Sequence, residues 1–315
     1  MYLSTALLFA ASIMLIIKGA DWFIESAVSI SEKSGIPKII IGATIVSFAT
    51  TAPEFAVSAT AAYMNHTEIA IGNAVGSAIC NIGLVLGSTI IIKAIPINLG
   101  AFLRKGAFML LSGVTLILTT LDGMLSRLDG ALLFSIFIGF MYYNYRLQNA
   151  IFDKADLKPD RTQMIGLKKD IAFFVLGALC VVIGSRILID TGITIAKMFG
   201  IPEMIIGLTL LALGTSLPEL ITAISATMKG HQDLSIGNIL GANTMDIALI
   251  LGVSSQIRPL TIIPQSINFD FPVMMFIMVI LILFGITKKR LDRWEGAVIL
   301  CSYLAYVAGL FLWYS

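Results

Sequence analysis

The chain has 315 residues, of which 57% are hydrophobic and 13% charged, with a formal net charge of +2 and a mean hydropathy of +0.93. A soluble domain carries about 25% charged residues and needs polar surface to cover its core. The composition therefore excludes a soluble enzyme, a disordered chain and a nucleic-acid-binding protein. The cysteines are scattered through apolar stretches at Cys80, Cys180 and Cys301, a pattern that predicts neither a disulfide framework nor a zinc site.

Ten apolar runs are each long enough to cross a bilayer core about 30 Å thick. The first run has no basic residue before it, and its first charge, Lys18, follows it, which is the wrong order for a cleavable signal peptide. We therefore predict an all-α polytopic membrane protein with ten transmembrane helices. In chain order they lie near 2–19, 36–65, 69–92, 103–121, 130–146, 170–190, 201–228, 234–257, 269–286 and 294–314.

The basic residues are distributed very unequally between the two sides of the membrane in the ten-helix arrangement. With both termini outside, 17 of the 21 Lys and Arg residues fall on one side. The other side holds only Arg127, Arg186, Lys197 and Arg258. Because basic residues favour the cytoplasm, we predict a multi-pass protein of the cell membrane with both termini extracellular. The hydrophilic stretch 147–169 is then a cytoplasmic linker.

The chain contains an internal repeat. Residues 35–87 and 200–252 align without a gap at an offset of 165 and are identical at 20 of 53 positions, and 127–131 resembles 293–297 at an offset of 166. Each copy spans five helices, an odd number, so the second copy enters the membrane from the opposite side. Inverted repeats of this kind build secondary transporters with a midplane substrate site. This predicts two five-helix halves, 1–146 and 170–315; a duplication kept only for packing is the alternative.

An acidic residue lies mid-span at the same place in each repeat. Glu54 follows Pro53, and Glu219 follows Pro218. A carboxylate at bilayer depth is costly and usually marks a functional site. Each proline leaves a carbonyl without its helical partner, which predicts broken helices at the midplane with carbonyls turned toward a cavity. Hydroxyls precede each acid on the same helix face, because Ser47, Thr50 or Thr51, and Glu54 lie at i, i+3/i+4 and i+7. Thr215, Ser216 and Glu219 repeat this pattern.

A second motif follows in each half. It reads GNAVGSAICN in the first half and GNILGANTMD in the second. These stretches give Asn73, Ser77 and Asn81 in one copy and Asn238, Ala242 and Asp246 in the other. Interhelical hydrogen bonds account for Asn and Ser alone but poorly for an aspartate. An all-oxygen set without a mid-span Lys, Arg or His suits Ca²⁺ or alkali ions and is a poor match for zinc or copper.

The paired motifs ATTAPE…GN and GTSLPE…GN resemble the two alpha-repeats of the cation/calcium antiporter superfamily, specifically prokaryotic sodium/calcium exchangers, over essentially the whole chain. The resemblance implies one Ca²⁺ site flanked by Na⁺ sites. Glu54 and Glu219 would be the principal Ca²⁺ ligands, completed by the carbonyls of Thr50 and Thr215. The remaining implied positions are Ser47, Thr51, Ser77, Ala212 through its carbonyl and Ser216 for Na⁺, with Asn81 and Asp246 at the centre.

Together these features predict an antiporter that exchanges Na⁺ for Ca²⁺ by alternating access, with membrane lipid around it. We expect no enzymatic activity, no cofactor, no nucleic acid and no obligate protein partner. The chain departs from the family at Ala242, where a serine is usual, which puts one outer Na⁺ site in doubt.

Three other functions compete with Na⁺-driven exchange. Proton-coupled Ca²⁺ exchangers tend to carry a glutamate in the helix after GN in each half, where this chain has Asn81 and Asp246, so Na⁺ coupling is favoured. An intramembrane enzyme could use paired acids as general acid and base, but the sequence offers no nucleophile arrangement or cofactor motif. A passive channel suits two matched, charged sites less well than alternating access does.

Overall fold

The computed structural model of the protein describes residues 2–34, 36, 38–155, 166–198 and 216–313, and these form an all-helical fold with four two-residue strands. Two of the longest helices are α1 (Tyr2–Ser34) and α7 (Leu167–Met198). The other helices are α2 (38–50), α3 (Ala52–Tyr63), α4 (Thr67–Ile92), α5 (Leu99–Thr119), α6 (Arg127–Ala155), α8 (Leu217–Met228), α9 (Gln232–Ile257), α10 (Ser266–Lys288) and α11 (Arg293–Trp313).

Helix α1 continues well beyond the predicted span at 2–19. Its second half buries Phe23, Ile24 and Ala27, and the helix packs along α7, with the rings of Phe23 and Phe174 4.5 Å apart. No proline interrupts the chain before Pro37. Because its apolar face is buried, the helix continues beyond Lys18, where the predicted span ended. Tertiary packing, rather than hydropathy, therefore sets the length of α1.

Helices α6 and α7 also outlast their predicted spans, which were expected to end near 146 and 190. Helix α6 runs to Ala155 and α7 begins at Leu167, so both ends of the predicted linker 147–169 are helical. The span expected at 201–228 is described only from Ser216 onward.

Six helices of the described residues are long and apolar enough to cross a membrane, against the ten expected. They are Leu7–Ser34 of α1 together with α4, α5, α9, α10 and α11. The expected span at 36–65 is not among them because the helix is interrupted at Thr51. A multi-pass membrane protein follows from these six helices alone.

Helices α4 and α9 lie at the centre of the fold. Residues 234–252 of α9 are all buried. Each central helix contains a π-helical segment, Asn81–Leu86 in α4 and Met245–Leu251 in α9, and further π segments occupy Gly42–Val46 and Ser266–Asp270. A π segment widens one helical turn and is frequent at functional sites. The sequence patterns did not predict these segments.

Two short antiparallel ladders join connections from the two halves of the chain. Strand β1 (Ile95–Pro96) pairs with β4 (Arg290–Leu291), with Ile95 opposite Leu291. Strand β2 (Met124–Leu125) pairs with β3 (Leu260–Thr261), with Leu125 opposite Leu260. Each ladder therefore ties a helix connection of the first half to one of the second. The three cysteines are free, as the sequence predicts.

Candidate functional site

The helix that carries the first motif is broken where the sequence predicts. Helix α2 ends at Thr50, Thr51 forms a bend, and α3 begins at Ala52 with Pro53 and Glu54 in its first turn. The equivalent helix of the second repeat has the same start, because α8 begins at Leu217 with Pro218 and Glu219 in its first turn. The start of a helix carries partial positive charge, which favours a carboxylate there.

Both glutamate side chains are buried, with Glu54 1% and Glu219 0% exposed. The Thr51 hydroxyl donates a hydrogen bond of 3.3 Å to Oε1 of Glu219 across the two halves of the chain. The other three carboxylate oxygens of the pair accept no hydrogen bond from the residues that the structure describes. Buried carboxylate oxygens without partners are costly, so this site is suited to a cation.

A third carboxylate, Asp246, lies beside Asn81. The Asn81 side-chain amide donates to Oδ2 of Asp246 at 3.1 Å, and the two residues are 165 apart in the chain. Asn243 donates to the carbonyl of Ala78 at 3.0 Å, again across 165 residues. Both hydrogen bonds therefore join repeat-equivalent positions of the two copies.

The three carboxylates act on one another electrostatically. When ionised, Glu219 and Asp246 each repel the charge of Glu54, and Glu219 repels that of Asp246. Oδ1 of Asp246 and Oδ1 of Asn81 accept no hydrogen bond within the described residues. The arrangement concentrates negative charge and unused oxygen atoms in one buried region.

The hydroxyls of the first motif lie against α9. Ser47 Oγ lies 2.7 Å from the Gly42 carbonyl and 2.8 Å from the Asn238 carbonyl, and it can donate its proton to either. Thr50 Oγ1 lies 3.3 Å from the Ser47 carbonyl and 3.4 Å from Oδ1 of Asn238. A hydroxyl that donates keeps lone pairs that can accept, so these oxygens remain available to a cation.

Close helix contact at this point depends on glycine. A Cβ at Gly241 would lie 2.6 Å from the carbonyl oxygen of Ala43, so no larger residue fits without a backbone shift. A Cβ at Gly42 would lie 2.4 Å from the Leu234 carbonyl oxygen, which is again too close for a larger residue. Packing therefore explains why Gly42 is small, but it does not explain the unpartnered carboxylate oxygens of the two glutamates.

The remaining predicted positions divide into two groups. Ser77, Ser216 and Ala242 are buried, and the Ser216 hydroxyl has no hydrogen-bond partner within the described part of the chain. Thr215 and Ala212 lie outside the described residues. The structure thus positions nine of the eleven predicted site residues.

Three asparagines support the site, although the sequence patterns assigned them no role in ion binding. The Asn73 side chain donates to the Glu54 carbonyl at 3.1 Å and to Ser58 Oγ at 2.9 Å. Asn238 accepts at its carbonyl from Ser47, and Asn243 bridges the two central helices. Asn73 and Asn238 belong to the GN motifs, whereas only its polarity within an apolar run marks Asn243 in the sequence.

No three His, Cys, Asp or Glu side chains among the described residues come close enough together to hold a metal ion by themselves. A bound cation would therefore need hydroxyl and carbonyl oxygens as well as the carboxylates. Hard oxygen ligands of this kind are those that Ca²⁺ takes in flexible sites. The all-oxygen cation site expected from the sequence stays a prediction.

Comparison with known proteins identifies the family. The family model described as sodium/calcium exchanger protein matches residues 4–146 and 169–312. The sodium/calcium exchanger MaX1 of Methanosarcina acetivorans is 31% identical, with 97% of this chain and 98% of the relative aligned. The inner membrane protein YrbG of Escherichia coli is 33% identical, with 100% and 98% aligned.

A solved structure of the sodium-calcium exchanger NCX_Mj, soaked with 10 mM Na⁺ and zero Ca²⁺, has the same fold. It superposes with a TM-score of 0.87 at 30% sequence identity and covers 98% of this chain and 100% of that chain. The similarity therefore extends over both halves of the protein. The chain belongs to the sodium/calcium exchanger family of membrane transporters.

Proposed function

We propose that the protein is a secondary active antiporter that exchanges Na⁺ for Ca²⁺ across the cell membrane by alternating access. One observation carries the proposal. Glu54 and Glu219, at equivalent places in the two repeats, are buried and leave three carboxylate oxygens without a partner among the described residues. A bound cation stabilises the carboxylates of such a site, whereas in the empty site the two negative charges repel each other. Na⁺ and Ca²⁺ competing for the same oxygens would couple their fluxes.

In this proposal, Glu54 and Glu219 bind Ca²⁺ together with the carbonyls of Thr50 and Thr215. The two charges balance one Ca²⁺ or two Na⁺. Asp246, hydrogen-bonded to Asn81, lies at the centre of the site, and its charge is not required for Ca²⁺ transport. The oxygens assigned to Na⁺ are those of Ser47, Thr51, Ser77, Ala212 and Ser216.

The same proposal places ten transmembrane helices in two inverted halves, 1–146 and 170–315, around the linker 147–169. The contacts between residues 165 apart support an axis between the halves. The family model's two separate matches, 4–146 and 169–312, support the same division. The sorting of basic residues supports extracellular termini and a cytoplasmic linker.

The decisive test is ion flux in liposomes that contain only the purified protein. We expect radioactive Ca²⁺ to enter vesicles loaded with Na⁺ when the outside lacks Na⁺, at a pH clamped equal on both sides. Vesicles without a Na⁺ gradient should take up little Ca²⁺. Uptake that ignores the Na⁺ gradient and instead follows an imposed pH gradient would contradict Na⁺ coupling and favour H⁺/Ca²⁺ exchange.

A channel predicts a different result in the same assay. It would pass Ca²⁺ without a counter-ion, so uptake would follow the Ca²⁺ gradient and release no Na⁺. Counting Na⁺ lost for each Ca²⁺ gained therefore separates an antiporter from a channel. A fixed ratio of Na⁺ to Ca²⁺ across several gradients supports the proposed mechanism.

A further inference from the structure

The two strand ladders occupy equivalent places in the two repeats but carry very different charge. One, which we name the basic ladder, contains β1 and β4 within residues 92–105 and 286–296. The other, the neutral ladder, contains β3 and β2 within the repeat-equivalent residues 257–270 and 120–130. The basic ladder has seven basic and two acidic residues, whereas the neutral ladder has two basic and three acidic residues.

Six basic side chains of the basic ladder are exposed. Lys288 and Arg290 share one acidic partner, Asp292, at 3.1 and 2.6 Å. The hydrogen bond from Lys288, with that from Arg290, lowers the pKa of Asp292 below its usual range, so this carboxylate stays ionised. The second acid, Glu295, is buried and accepts from the Asp292 backbone amide. The six exposed residues are Lys93, Arg104, Lys288, Lys289, Arg290 and Arg293.

Side chains from both halves of the chain form this face. Arg293 donates to the carbonyl of Ile92 at 3.2 Å, which places its guanidinium next to the position of Lys93. The Ile97 amide donates to the Lys289 carbonyl at 2.8 Å, which continues the ladder toward the start of α5. The face is therefore a single cationic surface rather than two separate loops.

The turn before β4 contains a lysine where the backbone favours glycine. Lys289 has φ +53°, in the left-handed region, and its repeat equivalent in the neutral ladder is Gly123, with φ +84°. The two turns make the same contact, because the Ile262 amide donates to the Gly123 carbonyl at 2.9 Å. A non-glycine residue in this conformation is uncommon and strained. A lysine here therefore indicates a use for its side chain.

Membrane orientation alone does not explain that lysine. Basic residues that orient a chain need only lie near the membrane surface, and any position in the turn would serve. The charge at Lys289 instead adds to those of Lys288 and Arg290 at one point. The neighbouring aromatic residue is also suited to the membrane interface: Trp294 is 54% exposed and packs its edge against Phe284.

We propose that the basic ladder binds the headgroup of an anionic phospholipid. The ladder joins the ends of apolar helices, so its cations lie at headgroup depth, and an anionic headgroup complements an excess positive charge there. Trp294 would lie at the boundary between the headgroup and the acyl chains. A lipid is favoured over an acidic protein because the exposed aromatic residue adjoins the cations at a membrane-embedded helix end.

The test compares lipid binding by purified protein in detergent, where the orientation in the membrane plays no part. Native mass spectrometry would count phosphatidylglycerol and phosphatidylcholine molecules retained from an equal mixture. We expect the parent protein to prefer phosphatidylglycerol. Each basic residue near a charged surface contributes roughly fivefold, so Lys289→Gly with Arg290→Met should reduce the preference by roughly 25-fold. These substitutions give the basic ladder the residues that the neutral ladder has at Gly123 and Met124.

The control removes the same number of charges from the neutral ladder through Arg127→Gln with Arg258→Gln, and the lipid preference should stay as in the parent. An equal loss in both double variants would overturn the proposal, as would an unchanged preference in the basic-ladder variant. Displacement of the lipid by millimolar inorganic phosphate would also overturn it, because the site would then bind free anions.

The variant Lys289→Gly alone should melt at the parent's temperature or higher, since it relieves the left-handed strain. If that variant unfolds, the test uses Arg290→Met alone, with an expected loss of lipid preference of roughly fivefold.

Discussion

The two halves of the candidate site share one backbone plan but not one set of side chains. The first half has Glu54 and Asn81, whereas the second half has Glu219 and Asp246 at the equivalent positions. Both oxygens of Glu54 lack a partner among the described residues, whereas Glu219 accepts from Thr51. The repeat thus gives both halves a buried glutamate at the same place, whereas different residues at other positions make the halves chemically unequal. Single substitutions can test the shared plan and each of these inequalities.

The largest effect is expected where the halves are alike. Glu54→Gln and Glu219→Gln should each reduce Na⁺-driven Ca²⁺ uptake more than about a hundredfold, because removing one charge from a buried ion pair costs about 3–5 kcal/mol. The assay is uptake into liposomes at saturating Na⁺ gradient. Glu68→Gln, at an exposed position of α4, is the matched control and should behave as the parent. Substantial exchange in either site variant would show that these acids do not bind Ca²⁺.

The next effect concerns the hydrogen bond that Glu219 accepts from Thr51. Thr51→Val removes the hydroxyl that donates to Oε1 of Glu219 and is itself a proposed Na⁺ ligand. A hydrogen bond to a charged group contributes about 1.5–3 kcal/mol, so the Na⁺ concentration for half-maximal exchange should rise about tenfold or more. Thr51→Ser restores the hydroxyl and should recover the parent value. An unchanged Na⁺ dependence in Thr51→Val, or a loss that Thr51→Ser does not recover, would contradict the role assigned to the hydroxyl.

A smaller effect is expected at the centre, where Asn81 faces Asp246. Because two glutamates already supply the charge that one Ca²⁺ needs, Asp246→Asn should keep most Ca²⁺ transport. Protons compete with cations for carboxylate oxygens, so exchange by the parent should fall as the pH is lowered. The variant lacks the negative charge of Asp246 that repels Glu54, so protons should compete less well for the glutamates and exchange should be inhibited less. A loss as severe as that of Glu219→Gln would instead make Asp246 a charged ligand.

The smallest effect is expected where the first half has Ser77 and the second has Ala242. Ala242→Ser restores a hydroxyl at a buried position and should strengthen Na⁺ activation by about two- to tenfold, as one neutral hydrogen-bonding group does. The measurement is the Na⁺ dependence of exchange at fixed Ca²⁺. An activation curve that matches the parent would show that another oxygen already completes this Na⁺ site. Ala248→Ser, in the π segment of α9, serves as the control for a buried hydroxyl elsewhere.

Much of the site could be predicted from the sequence because its residues recur at a constant offset. Pro53 and Pro218 locate the helix starts that hold the two glutamates, and the covalent structure of proline acts in any context. The start of α3 at Ala52 and that of α8 at Leu217 follow from this local rule. The hydrogen bond between Asn81 and Asp246 is likewise implied by repeat symmetry, although its geometry is not.

By itself, the sequence determined that the protein lies in a membrane, that it is duplicated and that acids recur at equivalent points of the two copies. These properties depend on composition, covalent geometry and spacing, which do not change on folding. Only the tertiary structure decided the length of α1, which packing against α7 extends to Ser34, and the π segments that begin at Asn81 and Met245. It also decided which oxygens stay unpartnered, because hydrogen bonding depends on distances between helices that are remote in the chain.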